Sequence, residues 1–81
     1  MKITVLLFAA ARETAGRDSV DIDAGGQVTI RTVRERLLDQ VPRLSAIASS
    51  LLWAVNNEYA ADERTIDAGD VVACFPPVSG G

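Results

Sequence analysis

The chain has 81 residues, 48% of them apolar and 23% charged, with eleven carboxylates against eight basic side chains and a net charge of -3. At this length folding hides only about 60% of the surface that the unfolded chain exposes, so one small core is the ceiling, yet the apolar content is too high for a chain that stays disordered. The acidic balance argues against a polyanionic partner such as nucleic acid, and one cysteine with no histidine removes disulfide frameworks, Cys/His zinc sites and histidine proton shuttles.

Lys2-Ile3-Thr4-Val5-Leu6-Leu7-Phe8 opens the chain with β-branched residues in period-two alternation, which predicts a strand with Ile3, Val5 and Leu7 on one face. Lys2, Thr4, Leu6 and Phe8 share the other face, so Leu6 and Phe8 place apolar surface where Lys2 and Thr4 mark water. The longest apolar run, residues 5–11, is far short of the twenty or so residues of a membrane span. Lys2, the apolar stretch and Ala9-Ala10-Ala11 imitate a secretory leader. Thr4 interrupts that stretch, however, and a chain this small can hardly lose a strand, so a cytoplasmic protein is expected, as suits a lone reduced thiol.

Residues 9–15 are helix formers and Gly16 supplies a left-handed close, which predicts a short helical turn. Ser19-Val20-Asp21-Ile22-Asp23 is a second strand with Val20 and Ile22 inward, broken by Ala24-Gly25-Gly26. Thr29 is a suitable N-cap, and Ile30, Val33, Leu37 and Val41 follow at helical spacing, so a helix is predicted over 30–40 that stops before Pro42. A weaker helical patch is expected over 44–49. Leu51-Leu52-Trp53-Ala54-Val55 then reads as a largely buried strand ending at the turn formers Asn56-Asn57, with Glu58-Tyr59-Ala60 as its brief partner. After the turn Asp67-Ala68-Gly69-Asp70, the last strand Val71-Val72-Ala73-Cys74-Phe75 is stopped by Pro76-Pro77. Nothing repeats and no linker divides the chain. One main helix with strands at both ends predicts an α+β domain over residues 1–75, a mixed sheet with the helix across one face and the other face uncovered.

The tail, Pro76-Pro77-Val78-Ser79-Gly80-Gly81, is expected to be a flexible extended segment over residues 76–81. Its prolines favour an extended exit, and six residues at about 3.3 Å each reach roughly 20 Å. Gly80 and Gly81 lack Cβ atoms and fit a narrow channel. A bare Gly-Gly ending reads first as a frayed terminus, since most chain ends are poorly ordered.

This ending is not bare. Ala54-Val55-Asn56-Asn57-Glu58-Tyr59, Gly69-Asp70-Val71-Val72-Ala73 and the terminal PPVSGG, with an opening of Leu7-Phe8-Ala9, Arg12-Glu13 and Gly16, resemble the small, sulfur-carrier subunits of molybdopterin synthase in the MoaD/ThiS family of ubiquitin-like proteins. The resemblance spans nearly the whole chain, and the hexapeptide is its most specific part. It implies a ubiquitin-like β-grasp fold. It also implies that the carboxylate of Gly81 is adenylated by an ATP-using, MoeB-like enzyme, converted to a thiocarboxylate with sulfur from a donor system, and inserted into a MoaE-like large subunit. There the sulfur passes to cyclic pyranopterin monophosphate, forming the dithiolene of molybdopterin within a heterotetramer. On this reading the chain itself binds no cofactor and no metal, and it carries no catalytic side chain.

The same resemblance implies that Gly81 carries the group, Gly80 gives clearance, and Pro76, Pro77, Val78 and Ser79 form the lever. It places Phe8, Tyr59 and Phe75 on an apolar docking surface, whereas ordinary packing would place all three in the core. Arg12 and Glu13 match the family opening and also read as a solvated helix face. Cys74 and Trp53 depart from the family pattern. A mid-strand cysteine reads as a small buried hydrophobe, so Cys74 is rejected as the sulfur site. Alternatives are a carrier for thiamine or transfer-RNA thiolation, which shares the fold and the Gly-Gly end, and a ubiquitin-like binding module never activated at its terminus.

Overall fold

The computed structural model describes residues 1–77. Strand β1 (Lys2–Leu7) is followed by α1 (Ala10–Ala15), β2 (Ser19–Asp23), β3 (Val28–Thr29) and α2 (Ile30–Gln40). Two 3-10 turns, Pro42–Ala46 and Ala48–Ser50, lead into β4 (Leu52–Val55), β5 (Glu58–Tyr59), β6 (Thr65–Ile66) and β7 (Val72–Phe75). The five-stranded sheet has the order β2-β1-β7-β4-β5, and β3 pairs with β6 in a separate ribbon. Only the central pair β1–β7 of the larger sheet is parallel, with Val5 opposite Val72 and Leu7 opposite Cys74. This is the mixed sheet expected from the sequence.

Period-two alternation decides which face the helix covers. Ile3, Val5 and Leu7 of β1, Val20 and Ile22 of β2, Val72 and Cys74 of β7, and Trp53 and Val55 of β4 are all buried. Ile30, Val33 and Leu37 of α2 close over them with Val41 and Leu44. Burying a side chain of Val, Leu or Ile size stabilises by about 1.5–3 kcal/mol each, so this layer supplies most of the cohesion. Leu51 to Val55 is less buried than expected. The strand starts at Leu52 and alternates, sending Leu52 and Ala54 to the uncovered face while Trp53 and Val55 face the helix. The helical patch expected over 44–49 is realised as the two 3-10 turns, which carry Leu44 into the core. Among the described residues Trp53 holds a buried indole N–H with no hydrogen-bond partner.

Helix α2 starts at the expected cap. The Thr29 hydroxyl accepts from the Thr32 N–H at 3.4 Å, and the Thr32 hydroxyl reaches back to the Thr29 N–H at 3.5 Å. The next free donors are satisfied from far along the chain: Ile30 N–H donates to the Arg64 carbonyl (3.0 Å) and Arg31 N–H to the Asp62 carbonyl (3.1 Å). These contacts close the first turn of the helix, whose N–H groups have no partner inside it. They also hold in place the β3–β6 ribbon, two residues per strand and too short for periodicity to reveal. Arg34 reinforces the junction with a two-pronged pair to Asp62, Nη1 to Oδ1 at 2.6 Å and Nη2 to Oδ2 at 2.8 Å.

Hydrogen bonds from Arg34 hold the Asp62 carboxyl below its ordinary value. A carboxyl whose folded pKa is depressed contributes stability that is present above its ordinary value, about pH 4, and is lost as pH falls through the folded value. Asp62→Asn should therefore lower the urea midpoint at neutral pH, with the gap to the parent chain narrowing as pH is taken below the carboxylate range. A constant gap down to about pH 2 would show that the side chain acts through shape rather than charge.

Candidate functional site

The uncovered face divides into a wet half and an apolar half. Toward the start of β1, Thr4 donates to Asp21 (2.8 Å) and Lys2 lies 3.6 Å from the same carboxylate. Toward the other end, strand register builds one row across four strands: Leu6 lies opposite Ala73, Ala73 opposite Ala54, and Ala54 opposite Tyr59. Leu52 lies opposite Phe75 in the next row. Phe8, just past β1, is held there by its N–H, which donates to the Cys74 carbonyl at 3.1 Å.

These residues frame a groove of about 310 Å³ lined by Phe8, Ala54, Asn57, Tyr59, Ala73 and Phe75. Phe8 is 48% exposed and Tyr59 76% exposed, while Phe75 is half-buried with its ring centroid 5.9 Å from that of Tyr59. A tilted aromatic pair at this spacing is favourable, yet most of the surface stays open. The structure thus brings together the three aromatics marked in the sequence, and none of them belongs to the buried core. Pro76 and Pro77 leave the sheet directly after Phe75, whereas Val78, Ser79, Gly80 and Gly81 lie outside the described residues.

Two tight turns flank the groove. Asn56 (φ 52°) and Asn57 (φ 69°) form the two-residue connection of the β4–β5 hairpin, where both central residues need positive φ and asparagine tolerates it. Asn56 also ties the hairpin to the start of β7: its carbonyl Oδ1 accepts from the Val71 N–H (2.9 Å) and its amide donates to Asp70 (3.1 Å). The Asp70 carboxyl is held below its ordinary value, first by the backbone N–H of Asp67 and then by that amide. On the other side, Ala9 has φ 51° and ψ -126°, a conformation costing a residue with a Cβ about 1–3 kcal/mol. Arg12 and Glu13 sit exposed on α1, with Arg12 nearest Asp18 at 3.9 Å.

Cys74 has no part in this surface. Its side chain is fully buried under the helix, and desolvation pushes the thiol pKa up to about 12. Leu52, Ala54, Ala73, Asn57 and exposed Val71 are surface residues that the sequence reading did not select. For Leu52 and Ala54 the signal was available in the parity they share against Trp53 and Val55.

A mixed sheet crossed on one side by a single main helix, with parallel central strands and an apolar open face at the root of the tail, defines a ubiquitin-like β-grasp protein. The chain belongs to the ThiS family, whose model matches residues 5–81. It is 37% identical over 81 residues to a molybdopterin synthase sulfur carrier subunit of Escherichia coli, covering 98% of this chain and 99% of that one. A subunit of the same name from Arabidopsis thaliana is 33% identical, covering 100% of this chain and 84% of the relative. The crystal structure of SAMP1, a small archaeal modifier protein from Haloferax volcanii, superposes with a TM-score of 0.90 at 31% identity, covering 100% of both chains.

A thiol with so high a pKa is a neutral, buried group at physiological pH, and thiolate is the nucleophile. The folded chain should therefore resist a thiol alkylating agent at about pH 8 and react fully in denaturant. Rapid labelling of the native chain, read by mass, would contradict the assignment of Cys74 to the core.

Proposed function

We propose that this chain is the sulfur carrier subunit of a molybdopterin synthase and that its working group is the main-chain carboxyl of Gly81. The observation that carries this reading is the exposed aromatic groove at the root of the tail, in a chain related along its whole length to sulfur carriers of that name. An α-carboxyl has a pKa of about 3.5, so it is an anion at neutral pH and a poor acceptor for a sulfur nucleophile. On a separate activating enzyme the carboxylate attacks the α-phosphorus of ATP and pyrophosphate leaves, giving an acyl adenylate. A donor sulfur then attacks the acyl carbon and AMP leaves, giving the thiocarboxylate. Donors on the large subunit position and stabilise the group while its sulfur passes to cyclic pyranopterin monophosphate.

In this reading Pro76, Pro77, Val78 and Ser79 form a lever, Gly80 gives clearance, and Phe8, Tyr59 and Phe75 anchor the partner around the threaded tail. The site is cytoplasmic and the working assembly is a heterotetramer with the large subunit. Among the described residues no helix is long and apolar enough to cross a membrane. The likeness to SAMP1 supports a second reading as a protein modifier, in which an amine of another protein replaces sulfur in attacking the activated Gly81. A thiamine or transfer-RNA thiolation carrier shares the same activated carboxyl and differs in the acceptor supplied.

Incubation with ATP, the activating enzyme and a sulfur donor should replace one oxygen by sulfur at Gly81, read by intact mass. Deleting Gly81 should abolish molybdopterin formation while leaving the melting temperature unchanged, and full activity in that variant would sink the proposal. High-mass adducts in place of the thiocarboxylate would favour the modifier.

The half-buried position of Phe75 sets a second expectation. Phe75→Ala should weaken association with the large subunit by about 2 kcal/mol or more, as central aromatic anchors do, while stability falls by about 1 kcal/mol. A stability loss of about 3–5 kcal/mol with unchanged affinity would instead mark a core residue.

A further inference from the structure

The turn between β1 and α1 contains a conformation its sequence does not favour. At φ 51°, ψ -126°, Ala9 occupies the first central position of a II′-type turn, closed by the Ala11 N–H donating to the Phe8 carbonyl at 3.1 Å. Glycine ordinarily fills that position because a Cβ is crowded there. The other non-glycine residues at positive φ among the described ones are Asn56 and Asn57, a residue type that tolerates it. Alanine has no side-chain group to offset the strain, and Ala9 is exposed, so packing of its own methyl does not do so either.

The two flanking residues impose the conformation. Phe8 is tied to β7 through its N–H on the Cys74 carbonyl, and Ala11, the residue that closes the turn, is fully buried. The Ala9 carbonyl accepts from the Glu13 N–H at 2.9 Å and so starts α1. Returning Ala9 to a negative φ would require either that Phe8 leave β7 or that Ala11 leave the core. Strain of this kind persists only where the surroundings over-determine it. Here it borders a residue that is 48% exposed and forms one wall of the groove.

We propose that Ala9 is a positioning residue: its strained turn fixes Phe8 against the groove in the free protein, so that the docking surface is formed before a partner arrives. The inference rests on the docking reading of the groove. A surface set in advance spares the ordering of a loop and a large side chain on binding, and this raises affinity without any new contact. Ala9 touches no partner in this scheme. It acts through Phe8.

A double-mutant cycle tests this, with calorimetric titration of the full chain against the molybdopterin synthase large subunit of the same organism. Phe8→Ala and Ala9→Val should each weaken binding about tenfold or more, since valine does not hold a positive φ, while the combined variant should be no more than about twofold weaker than Phe8→Ala alone. Ala9→Gly, which keeps the turn without strain, should bind within about twofold of the parent. Losses that multiply in the combined variant, or an Ala9→Val chain with parental affinity, would overturn the positioning role and leave the docking surface standing. Phe8→Ala with parental affinity would overturn both. Backbone scalar couplings at residue 9 of the parent chain, free and bound, give the answer even where Ala9→Val does not fold. Positive φ in both states supports the proposal, and a negative φ in either state, the free chain above all, refutes it.

Discussion

The rest of the structure depends on the parallel pairing of the first strand with the last. Antiparallel neighbours send their ends to opposite edges, whereas a parallel pair delivers both C-terminal ends to the same edge. With Val5 opposite Val72 and Leu7 opposite Cys74, all buried, this register is fixed by the core, and a one-residue slip would turn every one of those side chains toward water. The consequence lies just beyond the strands. Phe8 leaves β1 where Phe75 and Pro76 leave β7, so residues nearly seventy positions apart share one surface, and the root of the tail opens beside an aromatic groove.

A chain of this size supplies one substantial helix, which can cover one face of a five-stranded sheet. What covers the other face is settled residue by residue. The half built from Lys2, Thr4, Asp21 and Asp23 is exposed and cross-linked by the Lys2–Asp21 charge pair and the Thr4–Asp21 hydrogen bond, which contribute little energy but keep that edge polar. The half built from Leu6, Phe8, Leu52, Ala54, Tyr59, Ala73 and Phe75 is apolar and partly open. It is this exposed apolar half that the proposed docking of a partner uses. The two alanines lie side by side on neighbouring strands, and their small side chains leave the groove its depth between larger rings.

The division of labour follows from chemistry. The only thiol is neutral and buried, and among the described residues the other groups whose pKa moves, Asp62, Asp70 and Arg34, are engaged in holding a helix start and a hairpin. Their shifts arise from hydrogen bonds that fix backbone segments rather than from a cleft that tunes an acid or base. On the proposed reading, in which the chain delivers an activated carboxyl from its own backbone, what the fold must supply is a rigid platform and a recognisable surface. The hairpin turn at Asn56-Asn57 and the strained turn at Ala9 set the two sides of that surface.

The sequence by itself determined the elements whose signal is local. Alternation in 2–8 and 19–23 marked two strands and their buried faces, Thr29 and Pro42 bracketed α2, and parity put Leu6 and Phe8 on the wetter face before any partner strand was known. The family was legible as well, because its signature lies in contiguous residues. Periodicity did not reveal β3 or β6, since two-residue strands carry no period and pair where the start of α2 takes the distant carbonyls of Asp62 and Arg64. Nor did it fix which side of β7 was covered, because Val71, Ala73 and Phe75 are as apolar as Val72 and Cys74. That choice was made by the tertiary structure: the parallel register with β1 turns Val72 and Cys74 toward the helix and thereby leaves Phe75 to the open face, beside Tyr59 and Phe8, which no local pattern could have joined.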